Sequence, residues 1–160
     1  MMKKVGMILF IFMILGCSSK QSLESQQFEE YYQIREQLLQ QDEFEEIKDF
    51  SVTLVYNQVD NQYRYDIVID YPQIDMYDIT AMVYADENEE EMCPSLGILE
   101  DNQYHLKKGY VNKQEGFYKG IQLSGKTSQK KVVFLYVSYY LDEELTQKIE
   151  KYIEVQDEIR

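Results

Sequence analysis

The stretch Val132-Val133-Phe134-Leu135-Tyr136-Val137-Ser138-Tyr139-Tyr140 is the most strand-prone part of this chain of 160 residues. Branched and aromatic side chains fill most of it, and such residues favour the extended backbone of a sheet. Because its two alternating faces are both largely apolar or aromatic, the stretch predicts a central strand buried on both sides. The rest of the chain is therefore expected to fold around a β-sheet.

Further strands are predicted on both sides of this stretch. The run 50–56 alternates apolar with polar residues, which is the pattern of a half-buried strand. A turn at 57–62 leads into a second alternating run at 63–70, so the two runs should form an antiparallel hairpin that Pro72 ends. Other predicted strands are 79–85, 95–99, 104–110 and 116–124.

The end of the chain fits two structures. Apolar residues from Leu141 to Ile153 have helical spacing, whereas 148–155 also fits a last strand. We prefer the strand, because it would pair with 132–140 and cover what would otherwise be an exposed sheet edge.

About seven short strands in 49–155 suit a mostly β domain with the architecture of an immunoglobulin-like sandwich. The resemblance is architectural only, since the chain has no tryptophan and lacks the paired core cysteines of antibody domains. An α+β sheet with a packed helix and a small β-barrel are the alternatives. A helix should precede the sheet at 28–46, after a polar linker at 17–27.

The predicted helix is strongly anionic. From Glu24 to Glu46, eight acids stand against the single basic residue Arg35. The acids at 42–46 would oppose the helix dipole at its carboxyl end and fray it. Its apolar stripe is expected to pack on its own domain, with a partner-binding stalk as the alternative.

The segment 1–20 has the layout of an export signal. Two lysines near its start precede the apolar run Val5 to Gly16, and no further charge occurs before Lys20. That run is shorter than the roughly 20 residues that a transmembrane helix needs. A positive start followed by about 7 to 15 apolar residues is the pattern of a signal peptide.

The sequence Ile14-Leu15-Gly16-Cys17 at the end of this segment resembles the lipobox of bacterial lipoproteins. In that family the cysteine sulfur receives a diacylglycerol, a signal peptidase cleaves before the cysteine, and the new amino group is often acylated, as with palmitate. The resemblance implies a signal peptide at 1–16 and a lipid anchor on Cys17 at the extracytoplasmic face of the cell membrane. An ordinary secretory signal and an uncleaved anchor are the alternatives.

The charge balance limits the class of partner. Removing 1–16 takes away two of the 16 basic residues and none of the 29 acidic ones, which leaves a formal charge of −15. Nucleic acid is excluded as a partner, because binding it requires a basic surface. The folded part should also stand off anionic lipid, since only basic segments are attracted to it.

Candidate site residues are few. Cys93 is expected to be a small buried residue, and His105, the only histidine, forms no catalytic motif with it. The acidic loop offers weak candidates for a Ca²⁺ site, although a solvated turn fits it better: Asp86, Glu87, Glu89, Glu90 and Glu91. Of the adjacent Tyr139 and Tyr140, one should point outward and offer a binding surface.

These observations favour a non-catalytic, lipid-anchored lipoprotein that binds an envelope protein or a glycan. No cofactor is expected beyond the acyl chains on Cys17. The alternatives are an accessory structural subunit of a membrane complex, docked through its anionic helix, and a metal-dependent hydrolase. No phosphate-binding loop, zinc-binding His-Glu-x-x-His or Gly-x-Ser-x-Gly nucleophile motif occurs in the chain.

Overall fold

The computed structural model describes residues 22–85 and 92–157, and this part of the chain is mostly β with one α-helix. Helix α1 comprises Leu23–Gln40. The strands are β1 Ser51–Val59, β2 Gln62–Asp70, β3 Tyr77–Tyr84, β4 Ser95–Leu96, β5 His105–Leu106, β6 Phe117–Tyr118, β7 Gly120–Thr127, β8 Val133–Tyr140 and β9 Lys148–Val155.

Two antiparallel sheets hold seven of these strands. Sheet one has the order β1-β2-β7, and sheet two has the order β4-β3-β8-β9, while β5 and β6 form a small parallel pair. Because β8 lies between β3 and β9, the predicted central position of this strand is confirmed. The preference for a last strand at 148–155 is confirmed as well, since β9 pairs with β8 along its whole length.

The predicted hairpin is confirmed in β1 and β2, and its turn is tighter than expected. The two strands stay in register up to Val59 opposite Gln62, so only Asp60 and Asn61 form the loop. Asp60 adopts a left-handed φ of 53°, which matches the requirement of a two-residue hairpin turn. Residues 57–59, expected in the turn, therefore extend β1 instead.

The main core lies between the two sheets. Leu54, Ile67 and Leu123 of sheet one belong to the same buried cluster as Leu135 and Val137 of sheet two. Such a cluster, built from alternate residues of facing strands, is what the hydrophobic effect favours for two sheets that each have one apolar face. The alternation in the sequence therefore records which face of each strand is buried.

Helix α1 covers the other face of sheet two. Its buried residues Tyr31, Ile34 and Leu38 contact Met82 of β3 and Tyr136 of β8. The helix is thus docked on its own domain, as expected, and β8 is buried on both sides. The mostly β class is confirmed. The helix packed on sheet two is the feature that the α+β alternative predicted.

The bounds of the helix differ from the predicted 28–46. The hydroxyl of Ser22 accepts a hydrogen bond from the N–H of Ser25, which caps an earlier start. The helix ends at Gln40 because no basic residue stabilises its last turn and acids follow directly. Residues 42–46, placed in the helix by the sequence pattern, have no regular secondary structure, and the N–H of Glu45 bonds to the carbonyl of Tyr152.

Candidate binding cleft

A cleft of about 360 Å³ opens where the chain leaves β2. One wall is the segment 70–73, which carries the chain out of sheet one, and the other wall is the turn 107–111 that follows β5. Lys119, between β6 and β7, completes the lining. Three of the ten lining residues are lysines and two are tyrosines, in a chain whose net charge is −13.

Tyr71 holds a strained conformation on the first wall. Its φ is 47°, in the left-handed region that bulky residues seldom adopt. This backbone costs about 1–2 kcal/mol relative to a right-handed conformation. The side-chain amide of Gln73 donates to the Tyr71 carbonyl at 2.9 Å and holds the turn. The ring gains little burial in return, because 67% of Tyr71 is exposed.

Tyr110 stands on the opposite wall at the end of a tight turn. The N–H of Tyr110 bonds to the carbonyl of Lys107, and Gly109 supplies the positive φ of 72° that the third turn position requires. The ring packs edge-on against Phe117 at 5.1 Å, and its hydroxyl donates to Glu115 at 2.9 Å. Tyr110 is thus fixed in place while 39% of its surface stays exposed.

An unpaired carboxylate oxygen lies on the first wall. Oδ1 of Asp70 is buried and has no hydrogen-bond partner among the described residues. Burial raises the pKa of the Asp70 carboxyl above its usual value, and the Lys119 ammonium opposes that shift. Opposite Asp70 in the sheet, Gly120 leaves no room for a side chain, since a Cβ there would lie 3.0 Å from the Asp70 Cβ.

The three lysines of the cleft have different partners. Lys107 forms an ion pair with Asp75 at 2.8 Å, and that hydrogen bond raises the pKa of Lys107. Lys108 donates to the amide oxygen of Gln73 at 3.3 Å, and Lys119 interacts electrostatically with Asp70. Three lysines and one carboxylate, that of Asp70, line the cleft, which gives the lining a positive excess, while the carboxylates of Asp75 and Glu115 are not part of the lining.

Together these groups make the cleft the candidate recognition site. The exposed rings of Tyr71 and Tyr110 offer apolar faces, and the amide of Gln73 and the lysines offer hydrogen bonds. A concave site with apolar walls and a few directed polar groups is the usual form of a small-molecule site. None of these groups is arranged as a nucleophile with an adjacent base.

The two tyrosines predicted to form a surface are separated by the sheet. Tyr139 is fully buried between the sheets, and its hydroxyl donates to Asp49 at 2.9 Å. Burial is the main cause that raises the pKa of Tyr139, and the bond to Asp49 adds to it. Tyr139 therefore cannot contact a ligand, which corrects its place in the predicted surface, while Tyr140 is only half-buried.

Cys93 and His105 lie at opposite ends of β3. The N–H of Val83 bonds to the carbonyl of Pro94, next to Cys93, whereas Nδ1 of His105 accepts from the N–H of Asp78 at 2.9 Å. Five residues of strand separate Asp78 from Val83, or roughly 17 Å. The two side chains therefore form no nucleophilic pair.

Each of these residues has a local structural role. The backbone N–H of Cys93 donates to the Tyr31 hydroxyl at 2.6 Å, which joins the loop to helix α1. The His105 ring lies 4.9 Å from the ring of Phe117, and burial lowers its pKa. Cys93 is half-buried, slightly more exposed than the sequence predicts.

The remaining predicted sites lie outside the described residues. These are the lipidation site Cys17 with its signal peptide, and the acidic loop of Asp86, Glu87, Glu89, Glu90 and Glu91. Within 22–85 and 92–157, no three His, Cys, Asp or Glu side chains cluster as they would around a metal ion.

Sequence reasoning missed the cleft. Tyr71 falls outside the predicted strands and Tyr110 is the last residue of the predicted strand 104–110, and neither was identified as a contact residue. A signal did exist, since Tyr71 precedes Pro72 and Tyr110 follows Lys-Lys-Gly. Both are turn sequences that place an aromatic ring where no core is available to bury it.

Comparison with known proteins gives no significant match to a family model, a curated sequence or a solved structure. Among the residues that the structure describes, no helix is long and apolar enough to cross a membrane.

Proposed function

We propose that this chain is a lipid-anchored, extracytoplasmic binding protein that holds a carbohydrate bearing an acidic group in the cleft between Tyr71 and Tyr110. The lipobox-like sequence before Cys17 supports the anchor and the location. We also propose that the two sheets have the strand arrangement of an immunoglobulin-like sandwich. A strand-by-strand comparison of an experimental structure with that architecture would test it.

The observation that supports binding is the unfavourable chemistry of the cleft. A tyrosine with a left-handed φ and a buried carboxylate oxygen without a partner both destabilise the folded state. Such features persist at sites where function requires them. Because Oδ1 of Asp70 is buried, a ligand hydroxyl would bond to this unpaired acceptor only after the Asp70 side chain turns toward the cleft.

The chemical class of ligand follows from the other lining groups. Sugar rings present C–H faces that stack on aromatic side chains, and their hydroxyls bond to carboxylates and amides. The positive excess of the lysines favours a carboxylate on the sugar. An acidic oligosaccharide therefore uses the exposed rings and the positive charge of the lysines at once, whereas an apolar ligand would use the rings alone.

Calorimetric titration of the detergent-solubilised chain tests this proposal. The probes are tetragalacturonate, which carries carboxylates, and its fully methyl-esterified form, which is the neutral counterpart. We expect tetragalacturonate to bind more tightly, and Tyr110→Ala and Lys119→Gln each to lower its affinity at least about tenfold. Tyr32→Ala, which removes an exposed ring on α1, should leave affinity unchanged. Binding that survives the double change of Tyr71 and Tyr110 to alanine would contradict the site.

An accessory role in a membrane complex is the second candidate, and one observation favours it. Phe28, Tyr32 and Leu39 follow one flank of α1, beside the face that packs on sheet two, and all three are exposed. An apolar flank on a docked helix suits contact with another protein. Crosslinking in native membranes would give a partner in fixed stoichiometry, lost in Tyr32→Ala, if this role is correct.

A further inference from the structure

Strand β1 is a long outer strand without the usual protection against pairing. Its nine residues, Ser51–Val59, contain no charged side chain, in a chain of which 28% is charged. By contrast, β9 at the edge of sheet two carries four charges in eight residues. Natural edge strands are normally guarded by charges, prolines or bulges, because an open edge recruits another strand.

The open edge of β1 presents alternate backbone groups to solvent. In an antiparallel pair, backbone groups point alternately toward the partner and away from it. The carbonyl of Asp49 accepts from the N–H of Gln73, on the β2 side. Counting by twos from Asp49, the odd residues of β1 point toward β2. The groups that point toward the open edge are those of Val52, Leu54, Tyr56 and Gln58.

The space beside this edge is open. A groove of about 650 Å³ runs along it, bounded by 52–56 of β1 and by 153–157 at the end of β9. Within the described residues, β1 has one strand neighbour, β2. The outward side chains along the edge are uncharged and exposed, including Val55 at 42% and Val59 at 50%.

The strand is complementary to itself. Val55 is its middle residue, so a two-fold axis there places Val55 opposite Val55 of a second copy. Thr53 then faces Asn57 of that copy, and Leu54 forms a hydrogen-bonded pair with its Tyr56. Because the edge-facing residues are the even ones, this register places each free N–H opposite a free carbonyl. No like charges meet along the strand, although each chain carries −13.

We propose that two copies of this chain associate through antiparallel pairing of β1, which joins their first sheets into one sheet of six strands. The inference does not rest on the carbohydrate cleft, which lies where β2 ends at Asp70, opposite the start of β1 at Ser51. Symmetric pairing of one patch with itself is the common form of a homodimer. Since both bodies are acidic, higher salt should strengthen the association.

Cysteine crosslinking in membranes of cells that produce the full chain tests the register. In a Cys93→Ala background, Val55→Cys should form a covalent dimer with copper–phenanthroline, since opposed Cα atoms lie about 4.5 Å apart in such a pair. Thr53→Cys alone should stay monomeric, because its two copies would be offset by roughly 13 Å. Coexpressed Thr53→Cys and Asn57→Cys should crosslink again.

Sedimentation of the detergent-solubilised chain tests the association itself. We expect a dimer whose dissociation constant rises at least about tenfold in Val55→Lys, which places a charge on the two-fold axis. The matched control Tyr32→Lys adds the same charge on α1 and should leave the dimer intact. A monomer at 100 µM or so, equal crosslinking of Val55→Cys and Thr53→Cys, or a dimer unaffected by Val55→Lys would each overturn the proposal.

Discussion

The tyrosines of β8 and the tyrosines of the cleft differ in burial and in the strain of their surroundings. Tyr136 and Tyr139 are buried, and each donates its hydroxyl to a carboxylate, Glu150 and Asp49 respectively. Burial raises the pKa of Tyr136 to about 12, so both rings stay neutral donors. The cleft instead exposes its rings, strains the backbone at Tyr71 and leaves a carboxylate oxygen unpaired.

The tyrosines of β8 stabilise the folded state, whereas the conformation of Tyr71 and the unpaired oxygen of Asp70 in the cleft lower its stability. In β8, strand propensity, burial and hydrogen bonding all favour the observed structure. In the cleft, backbone preference and polar pairing are both violated. Substitutions should therefore destabilise the protein in the first region and leave its stability unchanged or raised in the second.

The largest expected effect is the contrast between Tyr139→Ala and Tyr71→Ala. Removing the fully buried Tyr139 ring leaves a cavity between the sheets, which should lower the free energy of unfolding by about 3–5 kcal/mol. Tyr71→Ala removes an exposed ring and should change it by less than about 0.5 kcal/mol. Urea unfolding measures both, and a comparable loss in the two variants would erase the distinction between the regions.

Tyr139→Phe serves as the control for that experiment. It keeps the ring and removes only the hydrogen bond to Asp49, so we expect a loss of about 1 kcal/mol. A loss as large as that of Tyr139→Ala would show that the hydroxyl, and not the buried ring, dominates.

Asp70→Asn should stabilise the protein, and more so at higher pH. Because the folded-state pKa of Asp70 is raised above 3.8, its ionisation weakens the fold as pH increases through this range. The variant should match the parent near pH 3 and exceed it by about 1 kcal/mol at pH 7. Thermal melts across this range measure the difference in stability between the variant and the parent. A difference that declines toward neutral pH would contradict the prediction.

Glu150→Gln should give a smaller effect of opposite sign. The hydrogen bond from Lys148 is the main cause that lowers the pKa of Glu150, with a further contribution from the Tyr136 hydroxyl. The stability this provides is present above the unfolded pKa of 4.5 and is lost as pH falls through the folded value. We expect a loss of a few tenths of a kcal/mol at pH 7. Parallel pH profiles for Glu150→Gln and Asp70→Asn would contradict this contrast.

Much of the fold was predictable because local rules and tertiary structure agree. The alternation in 50–56 and 63–70 identified the hairpin, and the apolar character of 132–140 identified the central strand. The helix end was misplaced because the sequence pattern continues while the charges of 42–46 oppose the dipole. Which strands pair depends on contacts between residues far apart in the sequence, so the strand order could not be derived from periodicity.

The candidate site was less predictable than the fold. Its residues come from three separate turns, and no spacing in the sequence brings Tyr71, Tyr110 and Lys119 together. The sequence predicted that one of Tyr139 and Tyr140 points outward but could not show that Tyr139 is the buried one, for a related reason. Neighbouring tyrosines identify opposite faces of a strand, but both faces of β8 are covered, one by sheet one and the other by α1.

The most direct test of the central claim is a tetragalacturonate titration of Tyr71→Asn, with unfolding measured on the same samples. Asparagine tolerates a left-handed backbone, and Tyr71→Phe serves as the control that keeps the ring. The predicted result is stability equal to or above the parent, by up to about 1 kcal/mol, together with an affinity at least about tenfold lower. Stability lowered by more than about 1 kcal/mol with unchanged affinity would show that Tyr71 supports the fold and not the ligand.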